Sequence, residues 1–281
     1  MVPTERSLTV YATEPALLTG LPQRRCLRYV REPSAETLLE SRYVFVLTSL
    51  INLERTAAVV RQANQRHHLR AFFVCVEDDS ELLPQFLNHA KLRTIRNMFV
   101  HRGADVPKRV LNAFCVGAEH DLIANARLVG DELMVVDCAS DMLRVRVDEV
   151  RALRDLPRDQ LSDFTIADDG SYLHWPAADV HLGLDDLKIL VDSEHRDRVE
   201  AERVLQSERT GTAIRTLRRR RALAQSSIAE LSERQVRRIE NGAGTSVSAL
   251  RKLARAHRMS LTDYVNELAR ISSSVREATP G

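Results

Sequence analysis

Apolar runs alternate with helical periodicity over the first part of the chain. Residues 43–47 and 70–76 are rich in β-branched and aromatic side chains, which is typical of buried strands. Residues 53–68 and 81–98 instead carry apolar side chains at helical spacing. Because strand and helix alternate, the pattern predicts an α/β domain with a parallel sheet over residues 1–122.

The pattern changes to strand-like alternation over residues 123–190. Residues 132–137 and 143–148 predict a pair of strands. Within residues 164–175, the dipeptide Asp169-Gly170 separates two strand-like arms. Asp-Gly is a strong hairpin signal, because glycine adopts the positive φ of the turn at little cost. These features predict a small β-rich domain.

Residues 191–209 are very highly charged. Glutamate and arginine alternate there at helical spacing, and proline and glycine are absent. This composition favours an exposed connecting helix over a flexible linker.

Short amphipathic helices are predicted over residues 210–271, where five helices would form an all-α domain. The overall fold class is therefore α+β and multidomain. The predicted helices contain, in order, an apolar stripe at Ile214, Leu217 and Leu223, residues 225–231, residues 233–240, a segment capped by Ser246 or Ser248, and an apolar stripe within residues 261–268.

The third of these helices has clear start and stop signals. Ser232 is a good N-cap, because its hydroxyl can accept a hydrogen bond from an unpaired backbone N–H. Val236 and Ile239 are spaced to face the core, and Asn241-Gly242 ends the helix, with glycine able to take the left-handed cap. The side chains predicted to point away from the core are those of Glu233, Arg234, Arg237 and Arg238.

The charge of the 281-residue chain is unevenly distributed. Its net charge is +2, but residues 207–270 hold fourteen basic and six acidic residues, a net charge of +8. The remainder is therefore acidic, with a net charge of −6. A basic domain on an acidic body is typical of a protein that binds a polyanion. The alternative is a solvated arginine-rich helix without a partner.

The predicted C-terminal helices resemble the helix-turn-helix of the Cro and phage-repressor type, the XRE family. The landmarks of this resemblance are Leu217-Arg218, Gln225-Ser-Ser-Ile-Ala229, Ser232, Ile239-Glu-Asn-Gly242 and Leu250-Arg-Lys-Leu-Ala254. The chain departs from the family at one point. In the family, a longer segment with a turn glycine separates the second helix from the serine of the recognition helix, whereas here only two residues separate Ala229 from Ser232.

This resemblance implies a set of DNA-contacting residues. Glu233, Arg234 and Arg238 fall where side chains contact bases, while Gln225, Arg237 and Asn241 fall where phosphate or positioning contacts are expected. Arginine can bond two acceptors of guanine, and glutamate can accept from cytosine. Glu240 is expected to be structural, as the partner of a helix arginine. The full predicted DNA-binding set is Gln225, Ser226, Ser232, Glu233, Arg234, Arg237, Arg238 and Asn241.

Residues 127–190 resemble the bacterial domain-of-unknown-function family 2442, whose members end in a similar G-x-x-L/I-H-W-P-x-x-D pattern. Here that pattern lies within residues 169–187. The resemblance implies a small strand-rich domain and no activity. His174 and Trp175 either line a ligand site, or Trp175 anchors a core while His174 takes a nearby hydrogen bond.

No cofactor, metal or catalytic site is predicted. Nucleotide-binding glycine motifs are absent, and the histidines at 67, 68, 89 and 101 lack metal-ligand spacing. No catalytic triad or Cys/His pair can be assembled, so no enzymatic activity is predicted. Residues 77–79, Glu-Asp-Asp, follow a predicted strand and are either a cation or ligand site or a solvated loop.

The chain is predicted to be cytoplasmic and nucleoid-associated, without a membrane partner. It lacks a signal sequence and a long apolar stretch, and its four cysteines form no C-x-x-C pair. Cys75 is predicted to be a buried, inert thiol in a reducing compartment.

The leading hypothesis is a bacterial or phage-type transcriptional regulator that binds operator DNA as a homodimer. The upstream domains would supply dimerisation, ligand sensing or a protein partner. One alternative is an antitoxin-like or protein-interaction protein that binds DNA to autoregulate. Another is an enzyme in the N-terminal domain tethered to DNA.

Overall fold

The computed structural model describes residues 7–31, 41–77 and 81–277, and the chain divides into two compact units, Met1–Asp192 and Ser193–Gly281. The first unit contains one parallel and two antiparallel sheets, and the second is helical. The mixed α and β class is therefore confirmed at this level. Within the described ranges, no helix combines the length and apolarity needed to cross a membrane.

Five parallel strands form the larger sheet of the first unit. They are β1 Leu8–Ala12, β2 Leu27–Val30, β3 Val44–Ser49, β4 Leu69–Cys75 and β5 Met98–His101. In space they follow the order β2-β1-β3-β4-β5. The predicted strands at 43–47 and 70–76, and the predicted parallel sheet, are confirmed.

Helices cover both faces of this sheet, which explains why its central strands are apolar throughout. Helices α1, Leu53–Gln65, and α2, Leu83–His89, pack on the face that carries Phe72. Helix α3, Asp105–Val116, packs on the opposite face with Phe73. Consecutive residues of β4 therefore enter two separate cores.

The prediction of a helix over residues 81–98 is wrong beyond His89. Lys91 takes a left-handed φ of 55°, which ends the helical path, and Leu92 is fully buried just after it. The chain then enters β5 at Met98, where it hydrogen-bonds to β4. Apolar spacing could not show this, because the strand is defined by a neighbour distant in the sequence.

Cys26 and Cys115 are joined as a disulfide between the turn before β2 and the end of α3. Their separation of 89 residues left no signal in the sequence. In the reducing compartment predicted for this chain, the same residues would be free thiols. Cys75 and Cys138 are free, and Cys75 is half-buried rather than fully buried as predicted.

Two three-stranded antiparallel sheets complete the first unit, and the predicted strand pair is confirmed within the first of them. That sheet has the order β6-β7-β8, with β6 Ile123–Val129, β7 Glu132–Asp137 and β8 Met142–Arg146. The other contains β9 Thr165–Ile166, β10 Tyr172–Trp175 and β11 Val180–Gly183, with β10 in the centre. Helices α4, Arg158–Ser162, and α5, Leu184–Val191, belong to this region.

The Asp169-Gly170 hairpin is confirmed, and Gly170 is required there for two reasons. Its φ is 80°, and a Cβ at this position would lie 2.5 Å from the carbonyl oxygen of Ile123. Trp175 is 1% exposed, and its Nε1 donates to the carbonyl oxygen of Leu161 at 3.0 Å. The interpretation of Trp175 as a core anchor is therefore confirmed.

The second unit is built from four α-helices and one short 3₁₀ turn within its described residues. They are α6 Ser193–Arg220, the turn Gln225–Ser227, α7 Glu233–Glu240, α8 Val247–Ala256 and α9 Leu261–Glu277. The predicted connecting helix at 191–209 and the first helix of the predicted 210–271 domain are one continuous helix of 28 residues.

The predicted second helix over residues 225–231 is wrong. Only residues Gln225–Ser227 form a 3₁₀ turn, after which Ile228 is extended and 1% exposed. Glu230 takes a left-handed φ of 68°, a conformation usually reserved for glycine. The short spacing between Ala229 and Ser232 leaves too few residues for a helix followed by a relaxed turn.

Candidate nucleic-acid interface

Helix α7 begins and ends at the residues that the sequence predicted. The hydroxyl of Ser232 accepts the Gln235 N–H at 3.2 Å, and the side-chain oxygen of Gln235 accepts the Ser232 N–H at 2.8 Å. At the other end, Gly242 has a φ of 83°, and the Ala243 N–H donates to the carbonyl oxygen of Arg238 at 3.0 Å. This capping box and this Schellman motif define an eight-residue helix.

One side of α7 packs into the core of the second unit. Val236 is fully buried and Ile239 is half-buried, in a cluster that includes Leu217, Leu253 and Tyr264. The predicted inward direction of Val236 and Ile239 is therefore confirmed.

The opposite side of α7 is exposed and basic. Glu233, Arg234, Arg237 and Arg238 are all exposed, as predicted. Among the described residues, none of these three arginines has a carboxylate partner or a side-chain hydrogen bond. Their guanidinium groups are therefore hydrated and ready to bind an anion without first breaking a contact within the protein.

Glu240 lies at the end of α7 and holds it against α6. It is 2% exposed and binds Arg218 through two hydrogen bonds, Nε to Oε1 at 2.5 Å and Nη2 to Oε2 at 3.0 Å. Burial acts to raise the pKa of Glu240, but hydrogen bonds from Arg218 and Gln225 outweigh it and hold that pKa below its usual value. The same contact raises the pKa of Arg218. The structural role predicted for Glu240 is confirmed.

Two other members of the predicted set are engaged within the unit. Gln225 donates its amide to Oε2 of Glu240 at 2.7 Å, and Asn241 Oδ1 accepts from Arg215 at 2.5 Å. These contacts position the 3₁₀ turn and the end of α7. Ser226 and Ser232 are exposed, and the Ser232 hydroxyl serves as the helix cap.

The structure adds Gly211, Arg215 and Arg218 as positioning residues. A Cβ on Gly211 would lie 2.5 Å from the Ile239 carbonyl oxygen, so α6 approaches the end of α7 only because this position lacks a side chain. Glycine inside a long helix lowers its stability by about 1 kcal/mol relative to alanine. A glycine within the helical pattern is therefore the sequence signal that could have indicated this close approach.

The first unit has a separate cleft at the carboxyl edge of its parallel sheet. The cleft has a volume of about 430 Å³ and is lined by residues that include Glu14, Ser49 and Glu77. The strand order reverses between β1 and β3, and ligands of open α/β sheets bind at such points. Hydrogen bonds from Ser49 and Asn52 lower the pKa of Glu14 and keep it charged. Of the predicted 77–79 site, residues 78 and 79 lie outside the described residues.

No family model, curated protein or solved structure matches this chain. The function of the two units therefore has to be inferred from their own residues.

Proposed function

We propose that the second unit binds double-stranded DNA and that the protein is a transcriptional regulator of the XRE type. The observation that carries the proposal is the exposed arginine face of α7, whose three guanidinium groups lack partners among the described residues. A helix of this size fits the major groove of B-DNA, where base edges can be distinguished.

The proposed roles follow from the chemistry of each side chain. Arg234 and Arg238 donate to guanine O6 and N7, and Glu233 accepts from cytosine N4. Arg237 binds a phosphate, and the exposed Ser226 and Ser232 belong to the same proposed set of DNA contacts. Gln225 and Asn241 act as positioning residues through their contacts with Glu240 and Arg215.

Rigid placement of α7 supports a sequence-reading role over a merely solvated helix. Both helix ends are capped, and the buried Glu240 ties the helix to α6. A reading helix must be held this firmly, because a shift of about 1 Å would misplace paired hydrogen bonds to a base.

The remaining parts of the proposal concern assembly and location. Two copies would read half-sites about 34 Å apart, as in dimeric helix-turn-helix proteins. The first unit would supply dimerisation, a protein partner or ligand sensing, and the cleft beside Glu14 supports the last of these. A regulator of this kind acts in the cytoplasm on the nucleoid.

The test is selection of bound sequences from a randomised duplex library with the full-length protein. Arg234→Ala and Arg238→Ala should each weaken binding of the selected sequence by about 5- to 150-fold, the value of one bidentate base contact. The matched control is Arg203→Ala, since that side chain is 79% exposed on α6 and belongs to no proposed contact. Failure to enrich any sequence, or equal binding by all four proteins, would falsify the proposal. A stoichiometric protein partner that co-purifies and controls binding would favour the antitoxin-like alternative.

A further inference from the structure

Two histidines and an aspartate converge on one hairpin of the first unit. His174 in β10 stands directly opposite His181 in β11 in the antiparallel register. Their imidazole rings are nearly parallel, with centroids 4.2 Å apart and planes inclined by 12°. Asp179 ends the turn that joins the two strands, immediately before β11. The backbone therefore brings three possible metal ligands to one end of the hairpin.

We propose that His174, Asp179 and His181 bind a divalent transition-metal ion of the zinc class. One ligand atom from each residue lies within 4.8 Å of the others. Ligand atoms of a tetrahedral Zn²⁺ site lie about 3.4 Å apart, given metal–ligand bonds of about 2.0–2.2 Å. The His174 imidazole is half-buried, and the His181 imidazole and the Asp179 carboxylate are exposed. Rotation of these side chains would bring their ligand atoms to the shorter separation that the metal requires.

Among the described residues, these three side chains make ring contacts but no polar ones: His174 stacks on His181, and the Tyr172 ring lies edge-on to His181 with centroids 4.9 Å apart. No hydrogen bond or ion pair occupies either imidazole or the carboxylate. Two stacked imidazoles on an exposed strand pair gain little from each other in water, whereas one ion can use a lone pair from each. The alternative given for His174 in the sequence analysis, a hydrogen bond to a nearby group, is therefore not observed.

The backbone beneath the site is rigid. Four residue pairs join β10 to β11, and Leu173 and Trp175, which flank His174, are buried in the core of the domain. Asp179 adopts a left-handed φ of 51°, which aspartate tolerates better than most residues. Ligands held on a fixed hairpin lose little freedom when the metal binds.

The ligand types select among metals. Imidazole favours zinc, copper, nickel and cobalt, whereas magnesium and calcium prefer sites made of oxygen atoms. Three protein ligands leave one tetrahedral position for water or an exogenous ligand.

A second group in the first unit is a weaker candidate. His120, Asp137 and Asp141 also lie within 4.8 Å of one another. Asp137, however, already accepts the Asp141 N–H at 2.8 Å, and the group offers one imidazole. It therefore provides a matched control.

The experiment is metal titration of the full-length protein after treatment with a chelator. Zn²⁺ should bind by calorimetry with one ion per chain, and Mg²⁺ should not compete. Co²⁺ should give the visible absorption of a four-coordinate site and quench Trp175, which is the single tryptophan of the chain and adjoins His174. This readout does not depend on the proposed DNA binding.

Variants separate the two clusters. His181→Ala and Asp179→Asn should each weaken Zn²⁺ binding by more than about tenfold. Substitution of a residue that only orients a metal ligand already lowers metal affinity about 10- to 100-fold, and these two variants change the ligands themselves. His120→Ala should leave the affinity unchanged. The proposal is overturned if no ion binds, if His174→Ala/His181→Ala retains full affinity, or if His120→Ala removes it. Circular dichroism of each variant checks that the fold is intact.

Discussion

Arginines occupy two contrasting environments around α7. Arg218 is 8% exposed and forms a two-point contact with the buried carboxylate of Glu240. Arg234 and Arg238, on the helix itself, are exposed and have no carboxylate partner among the described residues. A buried charge needs its partner to repay the cost of leaving water, whereas an exposed charge remains free for a ligand. Arg218 therefore holds α7 in place, whereas Arg234 and Arg238 extend from α7 into solvent.

The largest expected effect on stability comes from removal of the Glu240 carboxylate. Glu240→Ala leaves Arg218 and Gln225 without their shared partner and should lower the free energy of unfolding of the second unit by about 3–5 kcal/mol. Urea denaturation followed by helical circular dichroism measures this loss. Trp175 fluorescence reports the first unit and should not change. The exposed Glu202→Ala is the control, and similar losses in both variants would show that the buried pair has no special role.

The contact between Arg218 and Glu240 should also make stability depend on pH. The pKa of Glu240 in the folded protein is below the usual glutamate value of 4.5. The charged pair therefore stabilises the fold fully above that pH, and its contribution is lost as the pH falls through the folded pKa. The stability difference between wild type and Glu240→Gln should be largest near neutrality and shrink on acidification. Parallel stability curves from pH 7 to pH 3 would contradict this expectation.

A smaller effect is expected at the turn that follows Arg218. Ala222 has a φ of 51°, and the hydrogen bond from the Leu223 N–H to the Arg218 carbonyl oxygen places it where glycine normally ends a helix. Ala222→Gly should therefore stabilise the second unit by about 1 kcal/mol, because it relieves left-handed strain. Thermal unfolding measures the gain. Ala229→Gly, also exposed but not at positive φ, is the comparison, and equal responses would exclude relief of strain.

The smallest effect on stability is expected at the exposed face of α7. Arg237→Ala should change the free energy of unfolding by less than about 0.5 kcal/mol, as is usual for exposed positions. In DNA binding, the same variant should reduce the slope of log affinity against log salt by about 1, the value for one phosphate contact. A salt dependence equal to that of wild type would remove Arg237 from the proposed phosphate contacts.

The predictability of α7 contrasts with that of the segment before it. The ends of α7 were predictable because Ser232 and Gly242 act through hydrogen bonds within a few residues. The inward position of Val236 followed from helical spacing. The prediction of a helix over residues 225–231 was wrong, because these residues instead form a 3₁₀ turn, followed by a buried, extended Ile228 and a Glu230 with left-handed φ.

A similar contrast holds in the first unit. The Asp169-Gly170 hairpin and the strands β3, β4, β7 and β8 carry local patterns and were predicted. Strand β5 and the Cys26–Cys115 pair were missed, because each depends on a partner far away in the sequence. The His174–Asp179–His181 group was missed for the same reason, since it becomes a possible site only when β10 and β11 pair in register.

The sequence by itself determined the elements whose signals act over one or two turns of chain: the caps of α7, its exposed arginines, the Asp-Gly hairpin and the buried parallel strands. Only the tertiary structure decided which arginine is buried against Glu240, why Gly211 must lack a side chain and how the cross-strand histidines meet. The physical reason is range. Backbone hydrogen bonds and apolar periodicity are local, whereas burial, ion pairing and close approach depend on residues that folding brings together.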